Sequence, residues 1–232
     1  MNRIAWIIFA LGTVGILALL IILSGNSRVD VSTIDSNVIQ VANSENGNIA
    51  DHVFGNSDSK VIFINYGDFQ CPACGQASPR IKAVVEEYKD QIQFVFRNFP
   101  ITTSHPNAKA AAGVAEAAGL QGKYWEMYYK IYESQSAWSN LSGTSSERTD
   151  FFVGYANELG LDITKFKADL ASSAVSEKIN YDYSLGKKDG VNSTPTFFLD
   201  GEQLELAVWS DTTKLKEAIN VELKKADIEL PK

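Results

Sequence analysis

The two cysteines of this chain lie where an apolar strand pattern changes into a helical one. Residues 61–64 are β-branched or aromatic without a polar break, which is typical of a strand buried on both faces. Beyond the cysteines the apolar side chains keep a helical spacing, at Ala77, Ile81, Val84, Val85 and Tyr88. The pattern therefore predicts a central strand that leads directly into the N-terminus of a helix, with both cysteines at the junction.

The sequence Cys-Pro-Ala-Cys over residues 71–74 indicates that the two thiols have different properties. Pro72 suits the first helical position, which places Cys71 at the helix N-terminus. Unpaired backbone N–H groups and the helix dipole stabilise a thiolate there, so we expect the pKa of Cys71 to fall below its usual value of about 8.5. Cys74 lies one turn further along and faces the protein. We therefore predict that Cys71 attacks and that Cys74 is the buried resolving thiol.

Two other uses of this cysteine pair, a zinc site and a structural disulfide, are disfavoured. A zinc site needs two further Cys or His ligands, and the chain offers only His52 and His105, whose spacing does not match such a site. An inert structural disulfide would close a very short loop and would stabilise the fold little. We expect no metal and assign neither histidine a role.

A second feature lies about 120 residues further along the chain. The turn-rich residues 190–193 precede Thr194 and Pro195, which open an apolar strand over residues 196–199. Proline cannot donate a ladder hydrogen bond and therefore belongs at a strand start or edge. The turn-rich approach is also compatible with a cis peptide bond before Pro195.

Together the two features resemble the thioredoxin superfamily, and in particular its DsbA-like branch of extracytoplasmic thiol:disulfide oxidoreductases. The resemblance covers roughly residues 48–226 and includes the helix-kinking Pro79 and segments 66–74, 96–100, 105–106, 121–125 and 194–198. It implies that Cys71 is the nucleophile and Cys74 the resolving thiol. It also implies that Pro195 is cis and lines a peptide-binding groove in which Thr194 offers backbone groups to an extended substrate. No cofactor is expected.

One position departs from the pattern of the superfamily. The strand residue six positions before the first cysteine is often a buried acid, and here it is Asn65. An asparagine cannot accept the proton of Cys74. Water or Asp68 would then have to do so, or the strand residue takes no part in catalysis; the residues themselves leave these alternatives open.

The predicted fold is an α/β thioredoxin-like domain over residues 48–232 with a helical insertion at about 103–190. A second strand at 92–96 is followed by four predicted helices, at 105–118, 123–138, 147–159 and 164–185. The aromatic residues of the second of these helices, among them Trp125 and Tyr128, are interpreted as core rather than as a substrate groove. A last strand at 204–208 and a helix at 213–226 would complete the domain.

The N-terminal region predicts a membrane anchor. Residues 4–23 carry no charge and are long enough to cross a bilayer core of about 30 Å, so we assign 1–3 to a cytoplasmic tail and 4–24 to one transmembrane helix. A cleaved signal peptide is the alternative, but its apolar region would be shorter. Residues 25–47 are expected to be a linker, in which 38–41 could form a short strand. The predicted location is the cell membrane, single-pass, with the catalytic domain extracytoplasmic.

The expected function is disulfide exchange with exported proteins through Cys71, with oxidation as the favoured direction. A disulfide reductase or isomerase is the first alternative, and a tethered peptide-binding or chaperone-like module without redox turnover is the second. Expected partners are unfolded or reduced exported proteins, the lipid bilayer, and a membrane redox protein of DsbB or vitamin K epoxide reductase type. The net charge of −7 disfavours nucleic acid as a partner. We expect a monomer.

Overall fold

A five-stranded mixed sheet forms the centre of the protein, whose computed structural model describes residues 29–142 and 145–231. The strand order is β1-β3-β2-β4-β5; β2 and β3 are parallel and the other neighbours antiparallel. The strands are β1 Val53–Gly55, β2 Ile62–Gly67, β3 Gln93–Asn98, β4 Thr196–Leu199 and β5 Glu202–Gln203. The helices within the described ranges are α1 Pro72–Glu87, α2 Ala108–Gly119, α3 Tyr124–Glu133, α4 Gln135–Trp138, α5 Ser145–Glu158, α6 Ile163–Leu170, α7 Ser173–Lys188, α8 Leu206–Trp209 and α9 Thr212–Lys225.

Strand β2 is the central strand that the apolar run predicts, and it delivers the chain to the first cysteine. It is covered on one face by a cluster of aliphatic and aromatic side chains from α1 and α9. The opposite face is packed against residues of α7 and of the N-terminal segment. Helix α1 begins at Pro72 with Cys71 as its N-cap residue, and it contains Pro79. The predicted junction of strand and helix is therefore present.

The helices between β3 and β4 confirm the predicted insertion. Six helices, α2 to α7, lie between these strands in the part of the chain that the structure describes, where the sequence predicted four. The difference has local causes. The predicted helix at 123–138 is interrupted at Ser134, and the one at 164–185 is interrupted at Ser172. Ser172 accepts a hydrogen bond from the Val175 N–H and so begins a new helix.

The strand expected at residues 204–208 is wrong, because α8 occupies most of that segment. Trp209, at the end of α8, packs on Phe197 of β4 with the ring centroids 5.1 Å apart. Leu206 is 65% exposed. In this one-turn helix the partly buried Trp209 packs against the cluster that covers the sheet, whereas Leu206 faces solvent. No strand forms at 38–41 either.

Residues 29–47, part of the segment where a linker is expected, lie against the domain. Val31 is buried in the cluster that covers one face of the sheet. The guanidinium of Arg97 in β3 donates to the carbonyl oxygens of Ser36 (2.5 Å) and Val38 (2.8 Å). The predicted transmembrane helix at 4–24 lies outside the described residues. Within the described ranges, every helix is too short or too polar to cross a bilayer.

A buried ionic network joins the N-terminal segment, the sheet and the insertion. Arg97 is paired with Asp51 at 2.8 Å, and Lys178 of α7 is paired with Asp51 at 2.8 Å and Asp182 at 2.7 Å. The carboxylate of Glu116 in α2 accepts hydrogen bonds from Asn98 Nδ2 and His52 Nε2. The two cations hold the pKa of Asp51 well below its usual value against the effect of burial, whereas burial raises the pKa of Asp182 to about 6. The network thus fixes the insertion to the sheet beside β2.

Candidate active site

Cys71 and Cys74 lie at the first turn of α1, as the sequence predicts. Cys71 is the N-cap residue and Cys74 is one turn into the helix; both are free thiols, 6% and 3% exposed respectively. The Cys71 backbone N–H donates to the carbonyl of Asp68 at 3.1 Å, and the Cys71 carbonyl accepts from the Gly75 N–H at 3.1 Å. The turn that precedes the helix is therefore held by its own backbone hydrogen bonds.

The pKa values of the two thiols are displaced in opposite directions. A hydrogen bond from the Cys74 thiol lowers the pKa of Cys71 to about 5, although burial acts to raise it. Thr194 and the backbone N–H groups of Cys74 and Ala73 lower the pKa further. Burial raises the pKa of Cys74 well above its usual value, and the neighbouring Cys71 raises it further. At neutral pH the reduced site consequently holds one thiolate, on Cys71, and one thiol, on Cys74.

The Thr194–Pro195 dipeptide lies beside Cys71. Its peptide bond is cis, and Cys71 Sγ lies 3.3 Å from the Thr194 carbonyl oxygen, to which it donates when it is protonated. Pairing between β2 and β4 sets Tyr66 opposite Thr196, so the sheet brings the start of β4 to the end of the strand that leads to Cys71. The structure therefore brings together all four residues that the sequence indicates, Cys71, Cys74, Thr194 and Pro195.

Asn65 is buried and presents an unused acceptor. It is 4% exposed, and its Oδ1 has no hydrogen-bond partner among the described residues. Burial raises the pKa of the Tyr128 hydroxyl well above its usual value. Hydrogen bonds with the side chains of Ser78 and Asn65 lower this pKa, but by less than burial raises it. Tyr128 and Tyr132 of α3 are core residues, which agrees with the interpretation of the aromatic stripe. The strand position that often carries an acid thus offers an amide oxygen.

Asp68, considered as a substitute proton acceptor, is fully engaged elsewhere. Its carboxylate accepts from the Gln70 N–H, the Ile101 N–H and His105 Nδ1, each at 2.8 Å. The sequence assigned no role to His105. This pairing joins the turn before Cys71 to the loop that enters the insertion, so Asp68 positions the backbone of the site.

Other contacts from the insertion to this turn were also missed. The Gln70 side chain donates to the Ser139 carbonyl at 2.6 Å and accepts from the Asn107 N–H at 2.6 Å. Gln135 also donates to the turn. No spacing or composition signal marks these residues, because the partners are 37 to 69 positions apart. In the described part of the chain no group of three or more His, Cys, Asp or Glu residues is arranged to hold a metal ion.

Comparison with protein families and curated proteins identifies relatives of this domain. A family model described as Thioredoxin matches residues 47–220. An Na⁺/H⁺ antiporter NhaA 1 of Salinispora arenicola is 37% identical over 153 residues, which are 66% of this chain and 22% of that protein. One of Mycolicibacterium vanbaalenii is 36% identical over 155 residues, 65% of this chain and 23% of that protein. The matched region therefore spans less than a quarter of the length of these relatives.

Solved structures share the fold. A thioredoxin-like oxidoreductase from Silicibacter pomeroyi is 26% identical, with a TM-score of 0.60 over 75% of this chain and 92% of that one. Oxidised BdbD from Bacillus subtilis is 21% identical, with a TM-score of 0.64 over 81% and 98%. The thiol-disulfide exchange protein alpha-DsbA2 from Wolbachia pipientis is 22% identical, with a TM-score of 0.61 over 74% and 87%.

Proposed function

The chain belongs to the thioredoxin family, and from that premise we propose that it is a DsbA-type thiol–disulfide oxidoreductase that introduces disulfide bonds into exported proteins. The observation that carries the proposal is the opposite displacement of the two thiol pKa values in the pair Cys71 and Cys74. A low pKa makes Cys71 a good leaving group and stabilises the reduced site at neutral pH. The disulfide form is correspondingly an oxidant.

The reaction begins with the Cys71–Cys74 disulfide. A substrate thiolate attacks Cys71 Sγ, the Cys71–Cys74 bond breaks, and Cys74 leaves and takes up a proton because its pKa is high. A second substrate thiolate then attacks the substrate sulfur of the mixed disulfide and displaces Cys71. Two electrons pass from the substrate to the cysteine pair. Cys71 leaves as a thiolate and remains unprotonated at neutral pH.

The Thr194–Pro195 element provides the substrate with a backbone partner. The Thr194 carbonyl lies beside the sulfur that forms the mixed disulfide. An extended peptide bound to the backbone at Thr194 would therefore place its own cysteine next to Cys71, with Pro195 forming the wall of the groove. This arrangement orients the reacting sulfurs and requires no specific sequence beyond the substrate cysteine.

We further propose that the protein is anchored in the membrane and is reoxidised there by a membrane protein. Residues 4–24 anchor the protein in the cell membrane as a single-pass helix with a cytoplasmic N-terminus. A quinone-linked membrane protein of DsbB or vitamin K epoxide reductase type takes the two electrons from the reduced cysteine pair. The protein acts as a monomer, without a cofactor of its own. Alkaline extraction of membranes tests the anchor: the full-length protein should stay with the bilayer, and its release would overturn the anchored location.

Trapping tests the exchange itself. With Cys74→Ala in the full-length protein, the Cys71 thiolate can attack a disulfide of an exported protein, and that disulfide breaks with release of one substrate thiolate. Cys74 is then absent and cannot resolve the mixed disulfide on Cys71, so exported proteins should accumulate as adducts on non-reducing gels. The matched control is the double variant Cys71→Ser, Cys74→Ala, which keeps the groove but lacks both thiols. Equal recovery of bound proteins from both variants would instead support the tethered peptide-binding module.

A further inference from the structure

The side-chain amide of Gln135 donates two hydrogen bonds to the turn that carries Cys71. Its Nε2 donates one hydrogen bond to the Phe69 carbonyl at 2.7 Å and another to the Cys71 carbonyl at 2.9 Å. A carboxamide nitrogen has two N–H groups, so each carbonyl receives its own hydrogen. One side chain of the insertion thus ties together the residue before the helix and the backbone two positions earlier.

Helix α4 holds Gln135 in place. Trp138, at the other end of this helix, is fully buried, packs on Phe152 with centroids 5.6 Å apart, and donates from Nε1 to the Ile131 carbonyl at 2.8 Å. The residue that follows, Ser139, accepts the hydrogen bond from Gln70. The turn before α1 therefore has hydrogen bonds to both ends of α4, at Gln135 and at Ser139. The buried Trp138 side chain anchors α4 to the core of the insertion.

Gln135 lies very close to the backbone of Gly75, the residue after the second cysteine. A Cβ atom on Gly75 would lie 2.4 Å from Gln135 Oε1 and 2.9 Å from its Cδ. Contacts this short do not occur, so an alanine at position 75 would force the Gln135 carboxamide aside. Gly75 has an ordinary α-helical backbone conformation, in which alanine would stabilise the helix more than glycine does. The close approach of Gln135 explains why a small residue is needed there.

From these contacts we infer that Gln135 is a positioning residue for Cys71, which fixes the turn so that the thiol faces the N–H groups of the first turn of α1 and the Thr194 carbonyl. The inference rests on the proposed thiol chemistry of Cys71. The Cys71 thiolate is stabilised in part by the N–H groups of Ala73 and Cys74. The strength of such hydrogen bonds depends steeply on their direction. A turn that is free to tilt would stabilise the thiolate less.

The first test is Gln135→Ala in the reduced full-length protein. The thiolate absorbance and the rate of alkylation by iodoacetamide are followed across pH. Loss of the two hydrogen bonds should raise the pKa of Cys71, so that alkylation at pH 5 becomes about two- to threefold slower than in the unaltered protein.

Gln121→Ala is the matched control. Gln121 also belongs to the insertion and makes two hydrogen bonds to backbone, donating to the Asp162 carbonyl at 3.1 Å and accepting from the Asp162 N–H at 2.9 Å. Its removal should lower the melting temperature by a similar amount and leave the pKa of Cys71 unchanged. If both variants lose stability and neither changes the Cys71 titration, Gln135 is only structural and the inference is overturned.

The second test is a double-mutant cycle with Gly75→Ala. If an alanine at position 75 acts by displacing the Gln135 carboxamide, Gly75→Ala alone should reproduce the slower alkylation, and adding it to Gln135→Ala should cause no further change. Additive effects would show that Gly75 acts independently of Gln135 and would contradict the proposed contact. Because alkylation needs no protein substrate, failure here is distinct from failure of trapping, which tests the proposed function.

Discussion

The thiol of Cys71 lies 3.3 Å from the carbonyl oxygen of Thr194, although 123 positions separate the two residues in the chain. The contact exists because β4 pairs with β2, with Tyr66 opposite Thr196. The whole insertion lies between these strands in sequence and outside them in space. The site therefore depends on the sheet to bring Thr194 and Cys71 together, and on the insertion to hold the turn before Cys71.

The alkylation rate of the reduced protein should follow the Cys71 thiolate. With a pKa of about 5, Cys71 is almost fully ionised at pH 7. The rate should therefore change less than about twofold between pH 7 and 8 and fall about tenfold per pH unit well below 5. Cys71→Ser should remove the reaction over this range, because the pKa of Cys74 is raised. A rate that still climbs with a midpoint near 8.5 would contradict the assignment.

Stability should depend on pH differently in the two redox states. The pKa of Cys71 is lower in the folded reduced protein than in the unfolded chain, so its contribution is fully present above the unfolded value of about 8.5 and lost as pH falls through about 5. The disulfide form has no such titration. The free energy of unfolding of the reduced protein minus that of the oxidised protein should therefore rise from pH 5 to 8.

Denaturant unfolding of both forms at matched pH measures this difference. Asp182, whose pKa is raised to about 6, contributes in the opposite direction, since its stabilisation is lost as pH rises. Asp182 titrates in both redox states, so its contribution cancels in the subtraction. A difference that stays flat or falls across this range would show that Cys71 is not ionised in the folded reduced protein.

Much of the fold follows from local signals in the sequence. The strands that begin near residues 62, 93 and 196 are short apolar runs, and the helix after Cys71 has a clear apolar face, so pattern alone locates them. The strand predicted at 204–208 is wrong because a short apolar run is compatible with either a strand or a helix, and here a one-turn helix accompanies the contact of Trp209 with Phe197. Local pattern cannot contain that information.

The site divides in the same way. Cys71, Cys74, Thr194 and Pro195 belong to motifs that the sequence shows directly. Gln135 and the pair of Asp68 with His105 act through contacts between segments 37 to 66 positions apart. Their chemistry is that of ordinary polar side chains. Only the packing of the insertion against the turn before Cys71 distinguishes them from the other polar residues of the chain.

Lys178→Met should destabilise the protein strongly. The change leaves the buried carboxylates of Asp51 and Asp182 without their shared cation, and breaking a buried ion pair from one side costs about 3–5 kcal/mol. Lys167→Met removes an exposed ion pair with Asp150 and should change stability by less than about 0.5 kcal/mol. Denaturant titrations compare the two variants. Equal effects would mean that the buried network contributes no more than a surface pair.

Asn65→Asp should introduce a buried acid behind the cysteines. Asn65 is 4% exposed, and no cation is paired with it among the described residues, so burial should raise the pKa of an aspartate at this position. A raised pKa means that stability is retained at low pH and lost as pH rises, with a loss about 1–3 kcal/mol larger at pH 8 than at pH 4. Asn65→Leu, which cannot ionise, should show no such difference.

The same variant tests the resolving step. A carboxylate at position 65 can accept the proton of Cys74, so resolution of a mixed disulfide should gain a pH dependence that Asn65→Leu lacks. Single-turnover kinetics with a peptide disulfide measure this step. If Asn65→Asp and Asn65→Leu show the same pH profile, position 65 does not exchange protons with Cys74.

The reduction potential of the Cys71–Cys74 pair tests the proposed oxidase most directly. The full-length protein is equilibrated in glutathione buffers of known potential, and the fraction of free Cys71 is measured by alkylation. Stabilisation of the Cys71 thiolate predicts an oxidising value, well above the value of about −270 mV of thioredoxin and towards the value of about −120 mV of DsbA. A potential at or below that of thioredoxin would contradict oxidation as the direction of the reaction.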